Sequence, residues 1–292
     1  MGIYKLKNQQ NGLSLIELLI AMVIGLFLLS GIASSYIASK KASVSRNQIS
    51  QLEDNGRFAL EAITKALEHT GYAPNMLMTD PFIHAPADVV SDTCPDGTTN
   101  ISASALLNFT ASTITADNDA DVQDSIGAIF HGSDDFFIDC AGSSMPAVVP
   151  IGCRLQPLPT INLNPDSAKI YNSFFIDDVT KTLKCAGSRS SRIATIAEGV
   201  ENIQFLYGLD TNTDGTVDRY ANATAIDAST TDILDWGGVI SIQVAILVRS
   251  LKPVKNASES KQFTLLDQVV TSPTDKYQRA VFSTTILLRN TL

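Results

Sequence analysis

The chain has 292 residues, a net charge of −9 at pH 7 and 17% charged residues. This acidity, without any run of Lys or Arg, argues against a nucleic-acid-binding surface. The length is sufficient for one or two domains with a sizeable core. No G-x-S-x-G, H-E-x-x-H or P-loop motif occurs, and His69, His84 and His131 are isolated in the sequence. We therefore expect no enzymatic activity.

The most informative stretch is the apolar run from Leu13 to Ala38. Its 26 residues contain one charged side chain, Glu17, so the run is long enough to cross a membrane as a helix. A signal-peptide core has about 7–15 apolar residues and ends at an A-x-A-like site, and this run fits neither description. We interpret it as a retained membrane helix, preceded by a short leader that carries Lys5 and Lys7.

A short motif lies at the start of this run. Gly12-Leu13-Ser14-Leu15-Ile16-Glu17 resembles the class III signal of type IV prepilins, although Leu13 replaces the commoner phenylalanine. The resemblance implies that prepilin peptidase cleaves between Gly12 and Leu13 and methylates the new amino terminus. It also implies that Glu17 neutralises the terminal amine of a neighbouring subunit, because an unpaired carboxylate in a membrane costs about 2.5–3.5 kcal/mol. An uncleaved anchor with an incidental glutamate is the alternative.

The segment after the membrane helix is predicted to continue as an amphipathic helix to His69, with Gly71 as its cap. Gly56 is expected to destabilise this helix locally, because glycine in a helix interior costs about 1 kcal/mol of stability relative to alanine. The apolar positions that recur at helical spacing are Ile49, Leu52, Leu60, Ile63 and Leu67.

A second resemblance involves both ends of the chain. The sequence NGRFALE at 55–61 and HTGY at 69–72 resemble the helix end of PilW-type minor pilins. In the C-terminal third, residues 198–201, 207–210, 214–215, Trp236 and 279–290 follow the order of that family. Residues 75–130 have no such match. The resemblance implies an α+β, pilin-like fold, in which a long N-terminal helix with a membrane-spanning first half packs on an antiparallel β-sheet, with a loop-rich, disulfide-bonded insertion.

The domain boundaries that follow are a cleaved leader at 1–12, a hydrophobic transmembrane or fibre-core helix at 13–38, an amphipathic continuation at 39–71 and a β-rich globular domain at 72–292. Val239–Arg249 is the strongest strand, because it is apolar and β-branched throughout. A hairpin is expected from Tyr171–Asp177 to Leu183–Cys185. Further strands are predicted at 105–109, 126–131, 135–139, 193–198, 199–208 and 278–289.

Four cysteines, Cys94, Cys140, Cys153 and Cys185, follow the membrane helix. An even number in a translocated domain favours two disulfides, and the absence of a C-x-x-C pair argues against a zinc ribbon. Three connectivities are possible. We favour Cys140 with Cys185 and Cys94 with Cys153, because Cys140 and Cys185 each end a strand-like run.

One motif indicates a possible metal site. Residues 210–218 have the D-x-[DN]-x-[DN]-G-x-x-D form of a calcium loop, but the twelfth position, where a bidentate Glu belongs, is Ala221. The alternative is a β-hairpin that turns tightly at Asp214-Gly215, with hydrated acids. Calcium is thus a possible ligand, not a required cofactor. Its ligands would be Asp210, Asn212, Asp214, Thr216 and Asp218.

The resemblance to PilW-type minor pilins implies a structural protein that primes type IV pilus assembly and is incorporated at or near the pilus tip, in support of twitching motility, adhesion and DNA uptake. The implied partners are other minor pilins, the major pilin, the inner-membrane assembly platform, prepilin peptidase and a tip adhesin. The implied location is the inner membrane with a periplasmic C-terminal domain, and later the extracellular pilus. The alternatives are a type II secretion pseudopilin and a signal-anchored periplasmic binding protein.

Overall fold

The structure is a computed structural model of the chain. It describes residues 14–73, 80–84, 115, 123–131, 138–142, 169–187, 193–229 and 235–290. The chain divides into two compact units, Met1–Asn47 and Gln48–Leu292. Helix α1 (Leu15–Leu67) has 53 residues and contributes to both units.

The first unit contains the apolar part of α1. Its large apolar side chains are exposed all around the helix, as Leu15, Met22 and Phe27 illustrate, and Phe27 is 82% exposed. In the described part of the chain, α1 is the one helix that is long and apolar enough to cross a membrane. A helix that is apolar on every side buries itself in a protein core or in a bilayer, and among the described residues no protein core covers this segment.

The second unit contains two four-stranded antiparallel sheets and one two-stranded sheet within the described residues. Sheet 1 has the order β1-β2-β3-β4, formed by β1 (Ile126–His131), β2 (Lys169–Asp177), β3 (Thr182–Gly187) and β4 (Ile193–Glu198). Sheet 2 has the order β10-β7-β5-β6, formed by β5 (Val200–Leu209), β6 (Arg219–Ala221), β7 (Val239–Arg249) and β10 (Arg279–Leu287). A separate hairpin consists of β8 (Gln262–Leu265) and β9 (Gln268–Thr271).

Short elements complete the second unit. Helix α2 (Ala223–Asp227) begins at Asn222, whose side chain accepts a hydrogen bond from the backbone N–H of Ala225. A 3-10 turn at Trp236–Gly238 leads directly into β7. Gly199, with φ +78°, joins sheet 1 to sheet 2, and a Cβ there would lie 2.5 Å from the carbonyl oxygen of Arg249. The chain therefore needs glycine where it passes between the sheets.

The second half of α1 buries one stripe of residues in a core that both sheets share. The stripe consists of Leu52, Gly56, Ala59, Ile63 and Leu67. Their spacing of three and four residues keeps them on one face of the helix. A Cβ at Gly56 would lie 2.4–2.8 Å from the ring of Phe282 in β10, so the absence of a side chain allows helix and sheet to approach closely.

Polar side chains fix both ends of this helical segment. Near its start, the Gln48 side-chain oxygen accepts a hydrogen bond from the Lys252 N–H at 2.7 Å, and the Asn55 amide donates to the Glu198 carbonyl at 3.0 Å. Near its end, the Asn290 amide donates to the Glu68 and Thr70 carbonyls at 3.3 and 3.5 Å. Each contact joins residues far apart in sequence, so together they hold the helix in one position on the core.

The predicted α+β fold class is confirmed: a long apolar N-terminal helix precedes antiparallel sheets. The predicted bounds of Val239–Arg249 agree with β7, and the predicted hairpin agrees with β2 and β3. Three details differ. The described residues form two four-stranded sheets instead of one, α1 ends at Leu67 instead of His69, and Gly56 is a contact point instead of a weak place. Strand 105–109 and most of 135–139 lie outside the described residues.

We predict that Gly56→Ala destabilises the protein, although alanine is the better helix former. The new Cβ would overlap the Phe282 ring, and overpacking of this kind costs about 1–3 kcal/mol. Urea unfolding of the full chain in detergent would measure the change.

Phe282→Ala provides the matched control for this prediction. In that background the added Cβ meets no ring, so Gly56→Ala should become neutral or stabilising by up to about 1 kcal/mol. Equal destabilisation in both backgrounds would contradict the contact.

Candidate functional site

The predicted processing site lies at the start of α1. Gly12 and Leu13 are outside the described residues, which begin at Ser14. Glu17 occupies the first turn of the helix, and its carboxylate accepts a hydrogen bond from the Ser14 N–H at 3.1 Å. A carboxylate in this position satisfies an N-terminal donor and interacts favourably with the helix dipole. Glu17 therefore has a local structural role in addition to its predicted role in assembly.

The acidic loop connects β5 to β6, which pair antiparallel with Leu209 opposite Arg219. Asp210 is buried, and its carboxylate accepts hydrogen bonds from three backbone N–H groups of the loop. The donors are Asn212 at 3.3 Å, Asp214 at 3.2 Å and Gly215 at 2.7 Å. Residues 210–218 therefore form a loop organised around Asp210. This loop is wider than the tight turn at Asp214-Gly215 that is the alternative to a calcium site.

The other two acids of the loop are also engaged. The Asp218 carboxylate accepts from the Thr211 N–H at 2.8 Å and from the Thr211 hydroxyl at 2.6 Å. Asp214 accepts from the N–H and hydroxyl of Thr216, and the hydroxyl hydrogen bond is the main cause that lowers the pKa of Asp214. The three carboxylates are thus used as acceptors for loop donors.

The predicted calcium ligands all lie in this loop. Among the described residues, no group of three or more His, Cys, Asp and Glu side chains is arranged to hold a metal ion. Ala221, at the twelfth position, lies in β6 and offers no carboxylate. Asp210, Asn212, Asp214, Thr216 and Asp218 are grouped in one loop, but their hydrogen bonds are with one another, with the Thr211 side chain and with the loop backbone. Calcium binding stays a prediction.

Isothermal titration of the full chain in detergent with CaCl₂ tests this hypothesis. If calcium binds, a saturable heat should appear, and Asp210→Ala combined with Asp214→Ala should remove it. Asp267→Ala, which changes an exposed acid outside the loop, should leave the heat unchanged. Absence of heat from the unmodified chain would end the calcium hypothesis.

A disulfide joins Cys140 to Cys185, with the Cα atoms 6.0 Å apart. This is the pair that the sequence analysis favours. Cys185 is fully buried in β3, and the Cys140 N–H donates to the Asn172 side chain in β2 at 2.8 Å. The disulfide and this hydrogen bond fix segment 138–142 to sheet 1. Cys94 and Cys153 lie outside the described residues.

A buried ionic cluster, which the sequence analysis missed, joins three parts of the second unit. The Arg279 side chain is 1% exposed and lies between two carboxylates. Its Nε and Nη2 donate to Glu201 at 2.5 and 3.0 Å, and its Nη1 and Nη2 donate to Asp275 at 2.7 and 2.6 Å. Arg249 contributes a further ion pair to Glu201 at 3.4 Å and stacks over the Tyr277 ring. Because 78 residues separate Arg279 from Glu201, no local pattern indicates the pair.

We predict that Arg279→Met destabilises the chain by about 3–5 kcal/mol, because the change removes the closer of the two cations that pair with the buried Glu201 and leaves only the Arg249 contact at 3.4 Å. Lys65→Met, which removes the exposed Glu61–Lys65 pair, should cost no more than about 0.5 kcal/mol. Urea unfolding of the two variants under the same conditions makes the comparison. Equal effects would contradict a structural role for the Arg279 cluster.

The cluster also predicts a pH dependence. The hydrogen bonds from Arg279 lower the pKa of Asp275 below its usual value. The unfolded pKa of an aspartate is about 3.9. Because the native pKa is lower, the ionised carboxylate stabilises the folded state at pH values above about 3.9. This stabilisation is lost as the pH falls through the native pKa. The free energy of unfolding should therefore fall more steeply below about pH 4 in the unmodified chain than in Asp275→Asn. Parallel acid profiles for the two proteins would contradict this assignment.

Comparison with known proteins matches two parts of the chain to family models. Residues 173–290 match the model described as Type IV Pilus-assembly protein W, and residues 7–33 match the Prokaryotic N-terminal methylation motif. A solved structure of a type IV-like pilin from Thermus thermophilus is 11% identical, with a TM-score of 0.41, covering 83% of this chain and 99% of that chain. No curated protein matches the chain.

These matches fall on the elements described above. The methylation motif includes Glu17 and the start of α1, and the larger match begins in β2 and ends after β10. The chain is therefore a type IV pilin-like protein with a prepilin motif. Over residues 173–290 the chain is similar to the PilW family of type IV pilus minor pilins. The motif and the apolar helix fit anchoring in the inner membrane, processing by prepilin peptidase and assembly with other pilins.

Proposed function

We propose that this chain is a structural, non-enzymatic minor pilin that primes type IV pilus assembly and is incorporated at or near the pilus tip. The observation that carries the proposal is the continuity of α1. One helix begins at the prepilin motif, continues through an apolar segment exposed on every side and ends in the core of a folded unit. Such a helix provides both a membrane anchor and a surface for packing against other apolar helices.

The proposed location changes during the life of the protein. Before assembly, α1 crosses the inner membrane once, and the second unit lies in the periplasm. The Cys140–Cys185 disulfide supports this placement, because disulfides persist in oxidising compartments. After extraction from the membrane, the chain is part of an extracellular fibre. Leader cleavage between Gly12 and Leu13 and methylation of Leu13 precede that step.

The proposed partners are other minor pilins, the major pilin, the inner-membrane assembly platform and a tip adhesin. The functions that follow are twitching motility, adhesion and support of DNA uptake, without direct nucleic-acid binding by this acidic chain. Glu17 would neutralise the terminal amine of a neighbouring subunit, because two opposite charges in an apolar fibre core cost less as a pair than alone.

Mass spectrometry of the protein isolated from cells tests the processing step. We expect a mature chain that begins with N-methylated Leu13 and lacks residues 1–12. Changing Gly12 should block cleavage and leave the full-length chain in the membrane. A mature amino terminus at any other residue in the unmodified protein would contradict prepilin processing.

Deletion of the gene distinguishes the proposed function from the alternatives. Loss of surface pili with normal protein secretion supports a minor pilin, whereas loss of secreted proteins with normal pili would support a type II secretion pseudopilin. Normal pili and normal secretion would favour a periplasmic binding protein.

Glu17→Gln isolates the charge of this side chain. The amide oxygen can still accept the Ser14 N–H bond, so membrane insertion should be retained or improved. Incorporation into sheared pili should fall at least tenfold if the lost ion pair is worth about 1.4 kcal/mol or more. Immunoblots of membrane and fibre fractions measure both quantities, with Glu61→Gln as the control at an exposed carboxylate. Normal incorporation of Glu17→Gln would contradict the assembly role of Glu17.

A further inference from the structure

Strand β10 forms one edge of sheet 2. It pairs with β7 on one side, and in the part of the chain that the structure describes no strand pairs with its other side. Natural edge strands are protected by charged residues, prolines, bulges or short length. β10 has nine residues, its register with β7 has no shift, and the sequence from Ala280 to Leu288 contains no charged residue and no proline. The edge is therefore unprotected against pairing with another strand.

The register shows which backbone groups face this edge. The Leu288 N–H donates to Ile240 at 2.9 Å, and Gln278 accepts from the Ser250 N–H at 2.8 Å. Both pairs extend the register of β10 with β7 by one residue at either end, so the even-numbered residues of β10 form hydrogen bonds with β7. Alternation then directs the N–H and C=O groups of the odd-numbered residues to the free edge. Between Ala280 and Leu288, these residues are Val281, Ser283, Thr285 and Leu287.

A groove lies beside the same edge. Its volume is about 470 Å³, and it is lined by Ser283 and Thr284 of β10 and by residues of α1 between Arg57 and Glu68. Glu61 and Lys65 pair with each other across the helix surface at 2.6 Å. Among the described residues, the exposed Arg57 and Glu68 form no ion pair. The groove therefore has a positive group near one end and a negative group near the other.

The two charges define the chemistry of the strand that would fit. Arg57 and Glu68 are eleven residues apart, which is about three helical turns and about 16 Å. A β-strand rises about 3.3 Å per residue, so about five residues span this distance. A strand with an acidic and a basic side chain four or six residues apart would present both charges on the face turned to α1.

We propose that the free edge of β10 receives a β-strand from a different pilin-like chain, with an acidic side chain beside Arg57 and a basic side chain beside Glu68. This inference rests on the proposed function for the identity of the partner as another pilus subunit. A second copy of β10 fits less well, because residues Ala280–Leu288 contain no charged residue to match either group. Backbone hydrogen bonds would supply affinity, and the two charges would supply register and selectivity.

Proline substitution tests the backbone part of the proposal in the full chain. Thr285→Pro removes an N–H that faces the edge and no N–H that bonds to β7, so the thermal unfolding of the chain should change little. Thr285→Ala keeps the N–H and controls for the side chain. We expect at least a tenfold loss of the chain from sheared pili for Thr285→Pro and normal levels for Thr285→Ala. Equal incorporation of the two variants would overturn the proposal.

Photo-crosslinking identifies the occupant without depending on the folding of a proline variant. A benzophenone amino acid replaces Ser283 at the edge, and in a control chain it replaces Val179, which is 93% exposed in the turn after β2. We expect the probe at 283, and not at 179, to crosslink to a different pilin-like chain, at a peptide with acidic and basic residues four or six positions apart. A crosslink to a second copy or within the same chain, or none at all, would overturn the proposal.

The two readouts separate this proposal from the proposed function. Crosslinking is measured in the membrane fraction as well as in sheared fibres, so it does not require incorporation into a pilus. Absence of the unmodified chain from fibres, with the expected crosslink in the membrane, would contradict the pilus function alone. Presence in fibres without the crosslink would contradict the edge proposal alone.

Discussion

The contact between the second half of α1 and the shared core is the interaction on which the rest of the structure depends. Burial of each large apolar side chain of the stripe contributes about 1.5–3 kcal/mol, and Leu52, Ile63 and Leu67 are each at most 3% exposed. In proteins, most of the stability of a helix comes from packing of its amphipathic face and not from helix propensity. Because residues of both sheets belong to the same core, the sheets and the helix stabilise one another. Gly56 permits this contact, since its missing side chain leaves room for Phe282.

The periodic elements could be predicted from the sequence, whereas elements fixed by distant contacts could not. Val239–Arg249 was predictable because its apolar, β-branched run is bounded by Gly238 and Ser250. The β8–β9 hairpin gave no signal, because its turn at Leu266 adopts φ 55° without a glycine or asparagine. Helix propensity predicted a weak place at Gly56, but the approach of Phe282 determines the role of that residue. Tertiary packing overrides propensity in this case.

In the candidate sites, too, local patterns could be predicted from the sequence and long-range contacts could not. The sequence of residues 210–218 fits a calcium loop and also fits a loop closed by its own hydrogen bonds, because both use carboxylate oxygens as acceptors. Sequence alone could not separate them, and in the structure Asp210 and Asp218 accept loop N–H groups. Arg279 and Glu201 come together only because β10 and β5 both flank β7. A contact that depends on strand order has no local signature.

The position of Glu17 explains how a charged side chain is accommodated in an apolar helix. A carboxylate has about four acceptor positions, and the Ser14 N–H occupies one of them. In a mature chain that begins at Leu13, Ser14 would be the second residue and its N–H would still be available as a donor. The remaining acceptor positions would be free to receive the amine of a neighbouring chain. The helix dipole would favour the negative charge in either environment. Local capping and the proposed assembly contact would therefore not compete for the same oxygen lone pairs, so one side chain would serve both in the membrane and in the proposed fibre.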